Sequence, residues 1–258
     1  MDLKKYEDMP NAKIPPDIAA ALKESGNIRL TAFEDKDQVL IDEGQQLETG
    51  YRRMDNGDQQ VSMYCHMPGM TRQMIEWWFW WHPQDAARYR LWFPGEHFNI
   101  HVDKKDSEYF SLPECPEFRP NSQYPTEKIG GMRMPLRIDF VTPQEFGFSP
   151  ELMKECGVAA IVCGHVGALG GLVYHTEMAH IYFQRDDGLF MVSRFWIGKL
   201  LKNRLLRRAI LTDATARGMA EHCCVEYRNL AAKLPPLYME AMQEQSGKKE
   251  NEARERRA

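Results

Sequence analysis

The chain has no apolar run approaching the roughly 20 residues that a bilayer-spanning helix needs. Nor does it have an excess of positive charge. Its 258 residues carry 33 Lys and Arg against 37 Asp and Glu, a net charge of −4, which argues against a nucleic-acid binder. The six cysteines, Cys65, Cys115, Cys156, Cys163, Cys223 and Cys224, include no CxxC pair. A thiolate zinc knuckle or thioredoxin-type site is therefore not expected. Adjacent Cys223 and Cys224 read as small apolar helix residues. No internal repeat is present. The opening MDLKKYEDMPNAKIPPD has no apolar signal core, so a cytoplasmic protein with reduced thiols is expected.

What is present is an ordinary globular composition, with 43% apolar and 27% charged residues. Residues 1–60 are polar and show no strong strand pattern. Their one helix signal is IPPDIAAALKE, where a Pro pair suits a first helical turn. They read as an N-terminal arm or small subdomain. From residue 61 the texture changes to short runs rich in aromatic and β-branched residues: VSMYCHM, EWWFWWH, YRLWF, MPLRIDFV, AAIVCGHV, LVYHTEMAHIYFQRD and LFMVSRFWIG. Such runs predict an antiparallel sheet, and the DDG between the last two predicts a hairpin. The basic KLLKNRLLRR (199–208) reads as one solvated face of an amphipathic helix. LTDATARGMAEHCCVEYRNLAAKL then predicts a long helix, capped by Thr212 or Asp213 and stopped by Pro235-Pro236. The chain past about 240 is expected to fray, with 246–258 a charged, disordered tail. Many strands followed by one long helix indicate α+β. The best match is a catalytic domain over 61–245 in which a curved sheet wraps the C-terminal helix, the helix-grip plan, leaving a cavity between them.

The chemistry-bearing residues begin on that helix. His222 and Glu226, four apart, project from one face, with Gly218 one turn earlier on the same side and Thr215, Met219 and Asn229 at its borders. A helical Gly costs roughly 1 kcal/mol relative to Ala, so something is expected to approach the backbone at Gly218. HxxxE suits a metal-ligand pair facing the cavity, but on spacing alone an exposed hydrogen-bonded pair is the commoner case. Further ligands would come from elsewhere. In FPGEHFNIHVD an extended segment puts His97, Asn99 and His101 on one face, whereas a helix would pair His97 with His101. Glu127, ahead of a Gly-Gly bend, Glu114 and Glu117 are carboxylates of the right type. The run Trp77 to Trp81 is read as filling a core strand or a subunit interface. His82 is read as structural and Arg194 is unassigned.

Four segments in order, AARYRLWFPGEH, TEKIGG, SRFWIG and EHCCVEYRNLAAKLPPLY, resemble the 2,4-diacetylphloroglucinol hydrolase family, which includes phloretin hydrolase. The resemblance covers about residues 60–240. It implies a Bet v 1-like helix-grip fold, a homodimer, and one Zn²⁺ per chain held by His97, Glu127, His222 and Glu226. The implied substrate is a small aromatic ketone whose ring–acyl carbon bond is hydrolysed. Phloretin would give phloroglucinol and phloretic acid, and 2,4-diacetylphloroglucinol would give monoacetylphloroglucinol and acetate. The resemblance also implies that Tyr89 and a His near His165 contact substrate. Asn99 stands one position off the family's spacing. Glu226, His165 and Tyr89 are the expected catalytic groups, and Tyr89, Asn99, His165 and His180 the expected substrate contacts. The runner-up is a non-catalytic carrier of the helix-grip type. A metal-dependent oxygenase with two His and one carboxylate is the third reading.

Overall fold

The computed structural model describes residues 1–203, 207 and 211–255, with side chains described as far as residue 249 apart from residue 248. Four short helices lead: α1 (Lys4–Glu7), α2 (Pro16–Ala21), α3 (Gln38–Ile41) and α4 (Glu43–Gln46). Strands β1 (Gly50–Arg53) and β2 (Gln59–Pro68) follow, then α5 (Arg72–Trp81) and α6 (Ala86–Trp92). Next come β3 (His97–Asn99), α7 (Ser107–Phe110), β4 (Asn121–Gln123), β5 (Thr126–Ile129) and β6 (Met132–Val141). After α8 (Pro143–Phe146) and α9 (Pro150–Glu155) come β7 (Val158–Ala168), β8 (Val173–Arg185) and β9 (Gly188–Ile197). The last element is α10 (Asp213–Glu255).

Among the described residues the strands form one nine-stranded antiparallel sheet in the order β1-β2-β9-β8-β7-β6-β5-β3, with β4 also on β6. The fold is α+β, as expected. The DDG hairpin is present, with Arg185 opposite Gly188 and Asp186-Asp187 as the turn. Alternation along the strands divides the apolar residues between two faces. On β9, Leu189, Met191 and Phe195 pack with the C-terminal helix and α5, while Val192 and Trp196 join Val39, Leu40, Phe146 and Phe148 on the other face. The first face carries Val166 of β7 and the second carries Ile161 and Cys163. That division decides below which histidines can reach the cavity.

Several expectations are corrected. EWWFWWH and YRLWF are helices, not strands. Thr71 Oγ1 caps α5 by accepting from Met74 N (3.3 Å), and Asp85 Oδ1 caps α6 by accepting from Ala87 N (2.8 Å). Both helices are buried on most sides, so aromatic content outweighed period in the sequence. The first 60 residues do contain a strand, β1, whose Tyr51 enters the core. Pro235-Pro236 do not stop α10, which continues to Glu255. Leu230, Leu234 and Leu237 are buried on both sides of the Pro pair, and their packing offsets the lost helical hydrogen bonds. Past 240 the helix is held rather than frayed, through ion pairs of Glu240 with Lys5, Glu244 with the N-terminus and Lys249 with Glu114. Residues 204–206 and 208–210 of the basic run, and 256–258 of the tail, lie outside the described residues. No helix among those described is long and apolar enough to cross a membrane.

Candidate metal centre

Thr212 caps α10, its Oγ1 accepting from Thr215 N at 3.2 Å. From there Ala216, Ala220, Cys223, Tyr227 and Leu230 bury one stripe, and His222 and Glu226 turn into the space between helix and sheet. The approach expected at Gly218 is the β5–β6 turn. A Cβ added to Gly218 would lie 2.6 Å from Gly130 Cα. Gly130 itself has φ +57°, which glycine adopts without steric cost. The two glycines let the hairpin lie directly on the helix, bringing Glu127 to His222.

His97 is delivered by a separate device. The Pro94-Gly95 turn places His97 N on Phe93 O (2.9 Å), with Gly95 at φ +87°. In the β3–β5 pairing His97 stands directly opposite Glu127. The extended reading of PGEH holds for His97–Asn99, and no His97–His101 helical pair forms. His101 is exposed and stacks on Tyr124.

The four side chains converge. His97 Nε2 is 3.4 Å from His222 Nε2 and 3.6 Å from Glu226 Oε1. Glu127 Oε2 is 3.6 Å from His222 Nε2. One donor atom from each of His97, His222 and Glu226 falls within 4.8 Å of the others; Glu127 meets this trio from the His222 side. Burial pushes the His97 imidazole well below its ordinary value, with His222 beside it adding to the shift, and pushes His222 down to about 4. Both rings are therefore neutral near pH 7. Burial raises Glu127 to about 7, and raises Glu226 well above the carboxylate range with the Glu127 charge as a further cause. These are the shifts of ligand-type groups gathered without a counter-charge.

The ring orientations fit a bound cation. His97 Nδ1 faces the Tyr89 carbonyl (3.4 Å), and His222 bonds the Lys128 backbone. If those contacts take the ring protons, both Nε2 lone pairs face one point, as in sites where an outer hydrogen bond fixes the ligand tautomer. Two nitrogens about 2.0–2.1 Å from a tetrahedral Zn²⁺ lie about 3.3 Å apart, close to the 3.4 Å seen here. Two imidazoles and two carboxylates without sulfur suit Zn²⁺, and also Mn²⁺, Co²⁺ or Fe²⁺. Around this set Tyr89 donates its hydroxyl to Glu127 Oε1 and stacks its ring on His97 at 4.2 Å. Trp92 Nε1 donates to the Glu226 carbonyl at 2.9 Å.

Glu127, His222 and Glu226 border an inner cavity of about 80 Å³ that Tyr89, His180 and Met219 also help to line, with His97 behind them. Ile129, Leu136, Ile138, Val166 and Phe195 make much of its remaining wall. His180, pushed down to about 3 by burial, bonds Ser193 Oγ through Nδ1 (2.7 Å) and packs on Tyr227. His165 is not in this space, contrary to expectation. Strand alternation points Val166 inward and His165 to the opposite face, where its Nδ1 pairs with Glu177 Oε2 at 2.6 Å beside Phe146. His175 lines the cavity instead. Val166 pairs with Thr176 but Gly167 pairs with Tyr174, so His175 is the extra residue of a bulge, which re-aims side chains. No sequence signal marks that bulge.

Asn99 is exposed and is not among the cavity-lining residues. Glu114 pairs with Lys249, and Glu117 is exposed. Asn229, at the border of the helix stripe, accepts from Ala12 N at 2.7 Å and so ties the N-terminal segment to α10. His82 is buried and bonds the Trp78 carbonyl (2.7 Å), the structural role expected of it. Arg194 is buried on the outer face and donates to Gln45 O at 2.5 Å.

Comparison with known proteins gives a consistent set of relatives. The family model described as DAPG hydrolase PhiG domain matches residues 30–239. The 2,4-diacetylphloroglucinol hydrolase of Pseudomonas protegens is 32% identical over 232 residues, covering 81% of this chain and 73% of that protein. The phloretin hydrolase of Eubacterium ramulus is 27% identical over 250 residues, covering 92% of this chain and 89% of that protein.

Proposed function

The chain belongs to the DAPG hydrolase family, and on that premise we propose that it hydrolyses the carbon–carbon bond between a phloroglucinol ring and its acyl carbonyl. We assign one Zn²⁺ per chain to His97, Glu127, His222 and Glu226, and the sheet-and-helix arrangement to the Bet v 1-like helix-grip plan. Homodimer assembly and a cytoplasmic setting belong to the same proposal. The observation that carries it is the convergence of His97 Nε2, His222 Nε2 and a Glu226 oxygen within 4.8 Å at the wall of a cavity.

The net reaction adds water across one bond. The water oxygen joins the acyl carbon, and the ring carbon leaves with the bonding pair and takes a proton. The products are a carboxylic acid and the deacylated ring. The phloroglucinol ring accepts the electron pair because its keto tautomer makes the leaving carbon enolate-like. A bound metal supplies Lewis acidity and a water of lowered pKa. Glu226, whose carboxylate stands at the cavity wall, is the group placed to take the proton released by the attacking water. Tyr89 holds Glu127 through its hydroxyl and presents its ring edge to substrate. His175 and His180 line the cavity from β8, and either neutral imidazole N–H is a candidate to hand a proton to the ring carbon. The apolar wall positions the ring and excludes bulk water.

A carrier of the same fold would have no use for these groups, whose unpaired burial costs several kcal/mol. The compactness of the His97–His222–Glu226 trio favours one further reading, a two-His-one-carboxylate iron(II) oxygenase. Incubating zinc-loaded protein anaerobically, and iron(II)-loaded protein with and without oxygen, each with phloretin and with 2,4-diacetylphloroglucinol, separates the readings. Equimolar acid and deacylated ring without oxygen support the hydrolase. Turnover that requires oxygen supports the oxygenase, and binding without turnover supports the carrier.

A further inference from the structure

A groove of about 1320 Å³ runs along the flank of the molecule, and it shares Phe79, Gln123 and Phe140 with the inner cavity. The inner cavity, at about 80 Å³, is far below the roughly 300–1,000 Å³ of a drug-sized ligand site. At about 10–15 Å³ for one water, it accommodates only a handful of water-sized bodies. An acylated trihydroxybenzene does not fit there whole.

The wall between the two spaces is thin. Phe79 and Phe140 meet edge to face with centroids 5.8 Å apart. Gln123 Nε2 braces them by donating to the Phe79 carbonyl (3.4 Å) and to Asn121 Oδ1 (3.1 Å). Behind the wall one face of β7 is continuous. Val166 lines the inner cavity, Gly164 stands opposite Phe140 in the β6–β7 register, and Val162 and Ala160 line the groove. Gly164 leaves this lane without a side chain at the wall itself.

We propose that the Phe79–Phe140 ring pair is a gate, and that the groove takes the part of the substrate's acyl group beyond the ketone. The preferred substrates are then acylphloroglucinols with a long, aryl-ended tail rather than an acetyl group. The inference rests on the hydrolase reading above. The groove suits such a tail: Trp77, Trp80, Tyr109 and Val162 offer apolar and aromatic contact, and Arg88 and Gln84 offer polar partners for a hydroxyl at its end.

The test uses the full chain loaded with zinc and a series of acylphloroglucinols carrying acetyl, butanoyl and 3-arylpropanoyl groups. Wild-type kcat/KM is expected to rise at least tenfold from acetyl to 3-arylpropanoyl. Ala160→Phe obstructs the groove from the sheet side and Ala241→Phe from α10, and both residues lie outside the metal site. Either obstruction is expected to remove that rise while leaving the acetyl substrate within twofold. If Ala160→Phe does not fold, Ala241→Phe carries the same test. Rates indifferent to tail length and to both obstructions overturn the gate and groove assignment while the hydrolase reading stands. No hydrolysis of any member overturns the hydrolase reading itself, and the inference with it.

Discussion

Gly218→Ala sets two opposing effects against each other, and the structure says which governs the site. In a helix interior, Gly to Ala is worth about 1 kcal/mol of stability. Here the new Cβ would sit 2.6 Å from Gly130 Cα and 3.0 Å from Gly130 N, where carbon atoms normally stay about 3.5–4.0 Å apart. Backbone on both sides means that the β5–β6 turn has to retreat by roughly 1 Å. Overpacking of this kind costs about 1–3 kcal/mol, so the net stability change is modest, from about zero to 2 kcal/mol of destabilisation. The metal site has no such compensation. Glu127 lies three residues before Gly130 on the retreating hairpin and moves away from His222 with it. A displacement of about 1 Å at a catalytic constellation costs on the order of 100-fold in rate. Zinc affinity by chelator competition, kcat on an acylphloroglucinol and a urea melt are to be measured on one preparation. At least tenfold weaker zinc binding and a large loss of kcat, with no more than about 2 kcal/mol lost in the melt, is the expected pattern. Gly130→Ala supplies the contrast. Its Cβ would lie 3.6 Å from Gly218 Cα, an ordinary contact, but φ +57° costs a side chain about 1–2 kcal/mol. It should lose stability more than metal affinity. Wild-type zinc affinity and kcat in Gly218→Ala would refute the hairpin-on-helix account of the site.

Tyr89→Phe removes the hydroxyl that holds Glu127, and outer partners of this kind are worth about 10–100-fold in metal affinity; chelator competition reads the loss. His165→Gln should leave kcat unchanged, because His165 faces away from the cavity. The hydrogen bond to Glu177 raises the His165 pKa, so the charged pair stabilises the fold fully below the unfolded value of about 6.5. That contribution fades as pH rises through the higher folded value. Urea denaturation should therefore show a larger stability loss for His165→Gln at pH 5 than at pH 9. Trp78 is fully buried, and its Nε1 has no hydrogen-bond partner among the described residues, so Trp78→Ala should cost about 3–5 kcal/mol in a urea melt, and Trp78→Phe much less.

What could be read from the chain followed from period and spacing. Short aromatic and β-branched runs mark β6 to β9, the DDG turn fixes the β8–β9 hairpin, and HxxxE on a helix does put His222 and Glu226 on one face. Gly218 announced a close approach without saying by what. The aromatic runs failed because Trp and Phe favour strands by propensity, and a helix buried on most sides has little polar face to reveal its period. His165 faces away from the cavity by simple alternation along β7, and His175 reaches it through a bulge in β8 that leaves no mark in apolar alternation. Pro235-Pro236 failed as a stop because tertiary burial of Leu234 and Leu237 outweighs a local breaker. Asn99 was placed by spacing alone, and spacing does not say whether a strand residue faces the cavity.

The central claim is that α10 carries two ligands of a metal ion, and elemental analysis tests it directly. Wild type and His222→Ala, purified side by side and supplied with zinc, are compared for metal content against a circular dichroism check of folding. About one zinc per chain in wild type, lost from a folded His222→Ala, is the outcome this site requires. A folded wild type that takes up no metal, or a variant that keeps all of it, would contradict the assignment.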